Sequence, residues 1–322
     1  MININNILRC FPSGIVRKID EYFNNNNVNL NYLEEIRIRV NRPILLKLGQ
    51  VELSIEYVVQ SNEILEILQQ LCDNSIYSYQ SQICNGYITL KGGHRVGISG
   101  NVVVKDGKVL NISYISSLNF RIAKQILGVS DKIIKEVIDV TNNTVYNTLI
   151  VSPPGVGKTT LLRDLIRRIS NGIEQLNFKG INVGVVDERG EIAAMYKGIP
   201  QNDIGARTDV LDGIQKSLGM MMLIRSMSPK VIATDEIGSI DDVSAIRYGV
   251  CCGVKGIFTC HGSSIEDIRL NPALNELLET FCFERIIFLT DKKEKCGVEK
   301  IYKLDKKEKH YFQIKEESNL LF

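Results

Sequence analysis

The chain has 322 residues, 44% of them hydrophobic and 24% charged, which is length enough for one or two buried cores. Its 39 basic and 37 acidic side chains leave a net charge of +2, which excludes a global basic field for nucleic acid and an acidic solvating tail. No apolar run approaches the ~20 residues of a spanning helix, and Met1-Ile2-Asn3-Ile4-Asn5-Asn6 lacks the basic and apolar regions of a signal peptide. The expectation is a cytoplasmic chain that meets membranes only through partners.

In chain order, Asn24 to Asn27 reads as a polar loop tip. Ile36, Ile38 and Val40 alternate with Arg37, Arg39 and Asn41, the period of a strand with one apolar face, and Pro43 limits that strand or puts the next residues at an edge. Arg37, Arg39 and Arg42 make a small basic stripe, by default a solvated face. Ser61 to Cys72 carries Ile64, Leu65, Ile67, Leu68 and Leu71 at helical spacing. Two hairpins are predicted next, at Gly92-Gly93 and at Asp106-Gly107, because Asp-Gly between apolar runs suits a tight turn. Residues 1–125 thus read as a small α+β domain. A helix over roughly 121–139 and a turn at Asn142-Asn143 should join it to the rest.

From Val145 the rhythm changes. Apolar strands at 145–151, 181–187, 231–235, 256–260 and 285–290 alternate with helices, which implies parallel pairing through right-handed crossovers. Residues 126–322 read as a doubly wound α/β domain. The eight cysteines of the chain stand at 10, 72, 84, 251, 252, 260, 282 and 296. None forms a CxxC pair, so free thiols in a reducing compartment are expected rather than zinc ligands.

The chemistry concentrates after the strand Thr148–Val151. Ser152-Pro153-Pro154-Gly155-Val156-Gly157-Lys158-Thr159-Thr160 is followed by a helix with Leu161, Leu162, Leu165, Ile166 and Ile169 on its apolar side and Arg163, Asp164, Arg167 and Arg168 opposite. Strand, glycine loop and helix are the parts of a P-loop. Glycines let backbone amides turn inward around phosphate oxygens, and the new helix adds unpaired N–H groups and the positive end of its dipole. Lys158 supplies a point charge for the β- and γ-phosphates, and the Thr159 hydroxyl is suited to Mg²⁺. Ser152 stands where the strict motif has its first glycine. A nucleoside triphosphate with Mg²⁺ is the expected ligand.

Val231-Ile232-Ala233-Thr234-Asp235-Glu236 is an apolar strand ending in two carboxylates, and a parallel strand ends at the same sheet edge as the glycine loop. Asp235 is placed to hold Mg²⁺ and Glu236 to act as general base on water. A second acidic strand end, Asp187-Glu188-Arg189, either adds a carboxylate (Glu188) near that metal or caps a helix from Glu188 to Met195. His261 closes the strand 256–260, where it can sense a γ-phosphate or steer the base, or simply cap the strand.

Leu223-Ile224-Arg225-Ser226-Met227-Ser228-Pro229 running into the acidic strand, Asp187-Glu188-Arg189 ahead of it and Thr259-Cys260-His261 after it resemble the secretion and pilus ATPases of types II and IV. Gly92 to Gly100, Asp187 to Ile192, Arg207 to Gly213 and Met220 to Pro229 resemble, more closely, the stage III sporulation protein AA family. That resemblance implies a RecA-like domain in a cytoplasmic homo-hexamer, docked on membrane proteins of the mother cell–forespore channel during endospore formation. It also implies arginine fingers. Arg95 and Arg121 are the candidates in the first domain, and Arg207 and Arg225 in the second. Adenine over guanine, and so ATP, follows from the same likeness. The rivals are a nucleic-acid motor, which the near-neutral charge disfavours, and a nucleotide-gated scaffold, which would have no use for Glu236.

Overall fold

The computed structural model describes residues 4–26, 29–291 and 296–314. They fall into two compact units: residues up to Lys124 with the excursion Ala194–Asn202, and Gln125–Ala193 with the chain from Asp203 onward. The stretch 194–202 is thus the one part of the later sequence that folds with the first unit.

The first unit is a six-stranded antiparallel sheet: β1 (Leu33–Arg39), β2 (Pro43–Leu48), β3 (Val51–Val58), β4 (Tyr87–Thr89), β5 (Arg95–Lys105) and β6 (Lys108–Arg121), in the order β3-β2-β1-β6-β5-β4. Side chains alternate across a strand, so Ile36, Ile38, Leu46, Val96, Ile98, Leu118 and Phe120 share one buried face. Helices α1 (Ser13–Asn25) and α2 (Ser61–Leu71) cover it with Ile15, Ile19, Ile64, Ile67 and Leu68. The opposite face carries Glu35, Arg37, Arg39, Arg95 and Arg121; Arg121 is the register partner of both Glu35 and Arg95. Pro43 opens β2, which lies inside the sheet rather than at its edge. The predicted Asp-Gly turn forms, with φ of +50° and +72° at Asp106 and Gly107.

Three local expectations need correction. Asn24 and Asn25 belong to helix α1, not to a loop, and Asn27 lies outside the described residues. No helix runs over 121–139: strand β6 extends to Arg121, Gly128 takes the left-handed φ of +81°, and only short turns at Val129–Lys132 and Ile134–Val137 follow. The apolar residues there are spent on a two-stranded ribbon, Ile138–Asp139 with Thr144–Val145, which also shortens the strand predicted from 145. Asp164 is not on a solvated helix side. It is buried and accepts bonds from the Ser130 amide (2.9 Å) and hydroxyl (2.6 Å) and from Arg167 (2.7 Å).

The second unit is a doubly wound α/β sheet. Its strands are β7 (Thr148–Ser152), β8 (Val183–Asp187), β9 (Thr208–Asp212), β10 (Val231–Thr234), β11 (Lys255–His261), β12 (Arg285–Thr290), β13 (Gly297–Asp305) and β14 (His310–Gln313). The order is β9-β8-β10-β11-β7-β12-β13-β14, parallel through β12 and antiparallel beyond it. Strands buried on both faces read as continuous apolar runs. Helix α3 (Lys158–Asn171) lies against one face, touching β7, β8 and β11. Helices α4 (Lys216–Met227), α5 (Ile240–Cys251) and α6 (Pro272–Glu279) pack the other face around Leu149, Val151, Val186, Ile232 and Phe258. Among the described residues no helix is long and apolar enough to cross a membrane, and no disulfide joins any two of the cysteines.

Candidate phosphate and metal site

The site grows from the carboxyl ends of β7, β10 and β11, which the strand order brings side by side. Beyond Ser152, Pro153 and Pro154 are exposed and Val156 is buried; Gly155 and Gly157 hold φ of +80° and +113°, a region closed to most side chains. Helix α3 begins at Lys158, its first bond running from the Leu161 amide to the Gly157 carbonyl (3.0 Å). The amides of Gly157, Lys158, Thr159 and Thr160 therefore have no partner within the helix, the condition for an anion site.

Lys158 is 5% exposed, its ammonium folded back on the loop: it donates to the carbonyls of Ser152 (3.1 Å) and Pro153 (3.3 Å) and to His261 Nδ1 (3.1 Å). Burial pulls its pKa down, against the opposing pull of Asp235 and Glu236. An ammonium can only donate, so Nδ1 of His261 accepts and Nε2 carries the proton. That N–H points at Glu236 Oε1, 3.1 Å away.

Asp235 follows β10 directly. Its two carboxylate oxygens accept from the hydroxyls of Thr159 and Thr259. Burial lifts its pKa, helped by the negative charges of Glu236 and Glu191, while the two hydroxyls hold it down. A hydroxyl and a carboxylate in contact are hard oxygen donors, which suits Mg²⁺ completing its shell with phosphate and water. Glu236 sits at φ +54°, a left-handed conformation that is uncommon for a non-glycine residue; its amide donates to the Thr259 hydroxyl (2.8 Å). Its Oε2 pairs with Arg189.

Asp187, 2% exposed at the end of β8, lines a cleft with Asp235 and Glu236, and no helix directly follows it for it to cap. It accepts the amides of Glu191 (2.8 Å), Ile192 (3.1 Å) and Ala193 (2.8 Å), and so shapes the loop that carries Glu188 and Arg189. Glu188 pairs with Lys216 (2.6 Å), and both line one cleft with Asp235 and Glu236. Arg189, Thr259 and Lys216 were not singled out from sequence as working residues. Thr259 had a visible signal, standing two residues before His261 on the same face of β11; the other two depend on where loops cross.

Two predicted arginines are not brought to the loop within one chain. Arg207 precedes β9 and clamps the end of α3, its amide on Ser170 Oγ (2.7 Å) and its guanidinium on Ser170 O (3.0 Å). Arg225 ends α4, over the Tyr248 ring at 5.5 Å. Both lie at the amino ends of the strands, where Thr208 pairs with Val183 and Val183 with Val231. That is roughly 13 Å along the sheet from Asp235, at ~3.3 Å per residue. Arg95 and Arg121 are cross-strand neighbours in the first unit, Arg95 stacked 5.0 Å over Tyr87.

A parallel sheet wound on both sides, with a glycine loop and an acid-tipped strand meeting at its carboxyl edge, defines the RecA-like fold of secretion ATPases. The ATPase DotB of Legionella pneumophila shares it with a TM-score of 0.59 at 14% identity, over 90% of this chain and 81% of that one. So does the pilus retraction motor PilT solved with ADP, with a TM-score of 0.55 at 14% identity, over 85% and 78%. The chain belongs to the family Sporulation stage III, protein AA, which matches residues 3–309. It is 42% identical to Stage III sporulation protein AA of Bacillus subtilis (strain 168), over 85% of this chain and 87% of that protein.

Proposed function

We propose that the chain is a Mg²⁺-dependent ATPase that works as a ring, coupling hydrolysis to the mother cell–forespore channel of sporulation. The observation that carries the chemistry is the contact of Thr159 with Asp235 beside the chain Lys158–His261–Glu236, since it brings the glycine loop, a hydroxyl–carboxylate pair and a second carboxylate to one sheet edge. The loop amides and Lys158 bind the β- and γ-phosphates of ATP. Thr159 and Asp235 would hold Mg²⁺, which would offset phosphate charge when bound. Glu236 takes the proton of the attacking water. His261 orients Glu236 through Nε2, and because its Nδ1 holds Lys158, drawing the ammonium onto phosphate changes the partner of the residue that steers the base.

Glu188 supports the site through Lys216. Arg95, Arg121, Arg207 and Arg225 serve, in this reading, on the ATP of a neighbouring copy. The ring is a hexamer, stays on the cytoplasmic, mother-cell side and reaches the membrane by docking on channel proteins.

The test is ATP binding and turnover in wild type, Lys158→Ala and Glu236→Gln, with and without single-stranded DNA. Lys158→Ala should lose binding. Glu236→Gln should bind normally and lose at least about a hundredfold in turnover. Unchanged turnover in Glu236→Gln removes the base assignment, and strong stimulation by DNA favours a nucleic-acid motor.

A further inference from the structure

Strand β12 pairs in parallel with β7, Phe288 opposite Val151, so its carboxyl end emerges beside the glycine loop. Strand β13 returns antiparallel with Gly297 opposite Thr290. That register sets Cys296, the residue before Gly297, against the outside of the loop. Its amide donates to the Val156 carbonyl (3.1 Å) and its thiol to the Gly157 carbonyl (3.4 Å). A Cβ built on Gly157 would stand 2.3 Å from the Cys296 sulfur, so the thiol occupies the volume that a side chain there would need. Cys296 itself is 5% exposed.

A trans peptide unit points its C=O and the following N–H in opposite directions. Holding the carbonyls of Val156 and Gly157 toward Cys296 therefore turns the amides of Gly157 and Lys158 to the other side. Those are two of the amides on which an anion would sit. We infer that Cys296 is a positioning residue for the phosphate loop: from just before β13 it fixes the Val156–Gly157 peptide plane and joins the Leu161 amide in fixing the Gly157–Lys158 plane, so that their N–H groups face the phosphates. This rests on reading residues 152–159 as a phosphate loop, and it adds a part of the nucleotide site that comes from the far end of the chain.

The experiment measures Mg·ATP affinity calorimetrically, with kcat and KM, in the full chain as wild type, Cys296→Ser, Cys296→Ala, Cys296→Leu and Lys158→Ala. Cys296→Ser keeps a donor of similar size and should bind within about twofold. Cys296→Ala should bind about threefold more weakly, through loss of the bond to Gly157 and of the contact beside it. Cys296→Leu, which has to push into the loop, should weaken binding at least about tenfold and raise KM more than it lowers kcat. If Cys296→Leu does not fold, Cys296→Ala and its rescue by serine decide the matter. Affinities within twofold for both Ala and Leu, or equal weakening in Ala and Ser, overturn the inference. Undiminished binding in Lys158→Ala overturns instead the phosphate-loop reading beneath it.

Discussion

Asp235 shows how a residue can lower the stability of a fold and still be kept in place by its neighbours. Its pKa is raised in the folded chain, chiefly by burial. Ionising it therefore costs more in the folded state than in the unfolded one, and that cost sets in as pH rises through the raised value, above the ordinary ~3.9 of an aspartate. Asparagine has nearly the same shape and no charge to bury. Asp235→Asn should raise the melting temperature of the nucleotide-free chain at pH 7–8 by several degrees, a gain that disappears in acid below the titration of Asp235. Melting curves across pH check this; a lower Tm for the variant at pH 7 would mean the two threonine bonds outweigh desolvation. The same variant should lose Mg²⁺-dependent turnover.

At the scale of elements, the start of the sheet is tied by a buried carboxylate. Glu284, just before β12, accepts from the Asn147 amide (3.0 Å) ahead of β7 and pairs with Lys255 (2.7 Å) of β11 and Lys306 (2.6 Å). Burial opposes ionisation, but the lysines and the amide prevail and hold its pKa down at about 2. A depressed carboxylate contributes stability that is complete above its unfolded pKa of about 4.5 and is lost as pH falls toward about 2. Glu284→Gln should therefore cost about 2–3 kcal/mol at pH 7, less than the full linkage value because Lys306 is solvated, and the gap to wild type should narrow between pH 4.5 and 2. Urea unfolding at several pH values measures it.

For the whole molecule, the proposed nucleotide site within one chain has the glycine loop, the Thr159–Asp235 contact and Glu236 at the carboxyl edge, while Arg207 and Arg225 are at the other. Arginines that cannot reach a site in their own subunit act, if they act on ATP, from a second copy. Sizing chromatography with light scattering should show assembly to about six chains with Mg·ATP in Glu236→Gln, which retains its nucleotide, and less in Lys158→Ala. A monomer under both conditions would count against the ring.

The strand before the loop, the Gly-x-Gly-Lys-Thr core and the acid-tipped strand could all be read from local pattern, because backbone geometry and apolar periodicity act over a few residues. The same locality explains the good fit of helix α2 and the Asp-Gly turn, and the failure over 121–139: helical spacing there was outweighed by Gly128 and by a pairing of Ile138 with Val145 that lies outside any single window. What sequence spacing could not convey is which distant groups meet. Thr259 on Asp235 and the thiol of Cys296 against Gly157 follow from strand order and register. Those are long-range hydrogen-bonding choices, fixed when the sheet assembles, and no stretch of neighbouring residues encodes them alone.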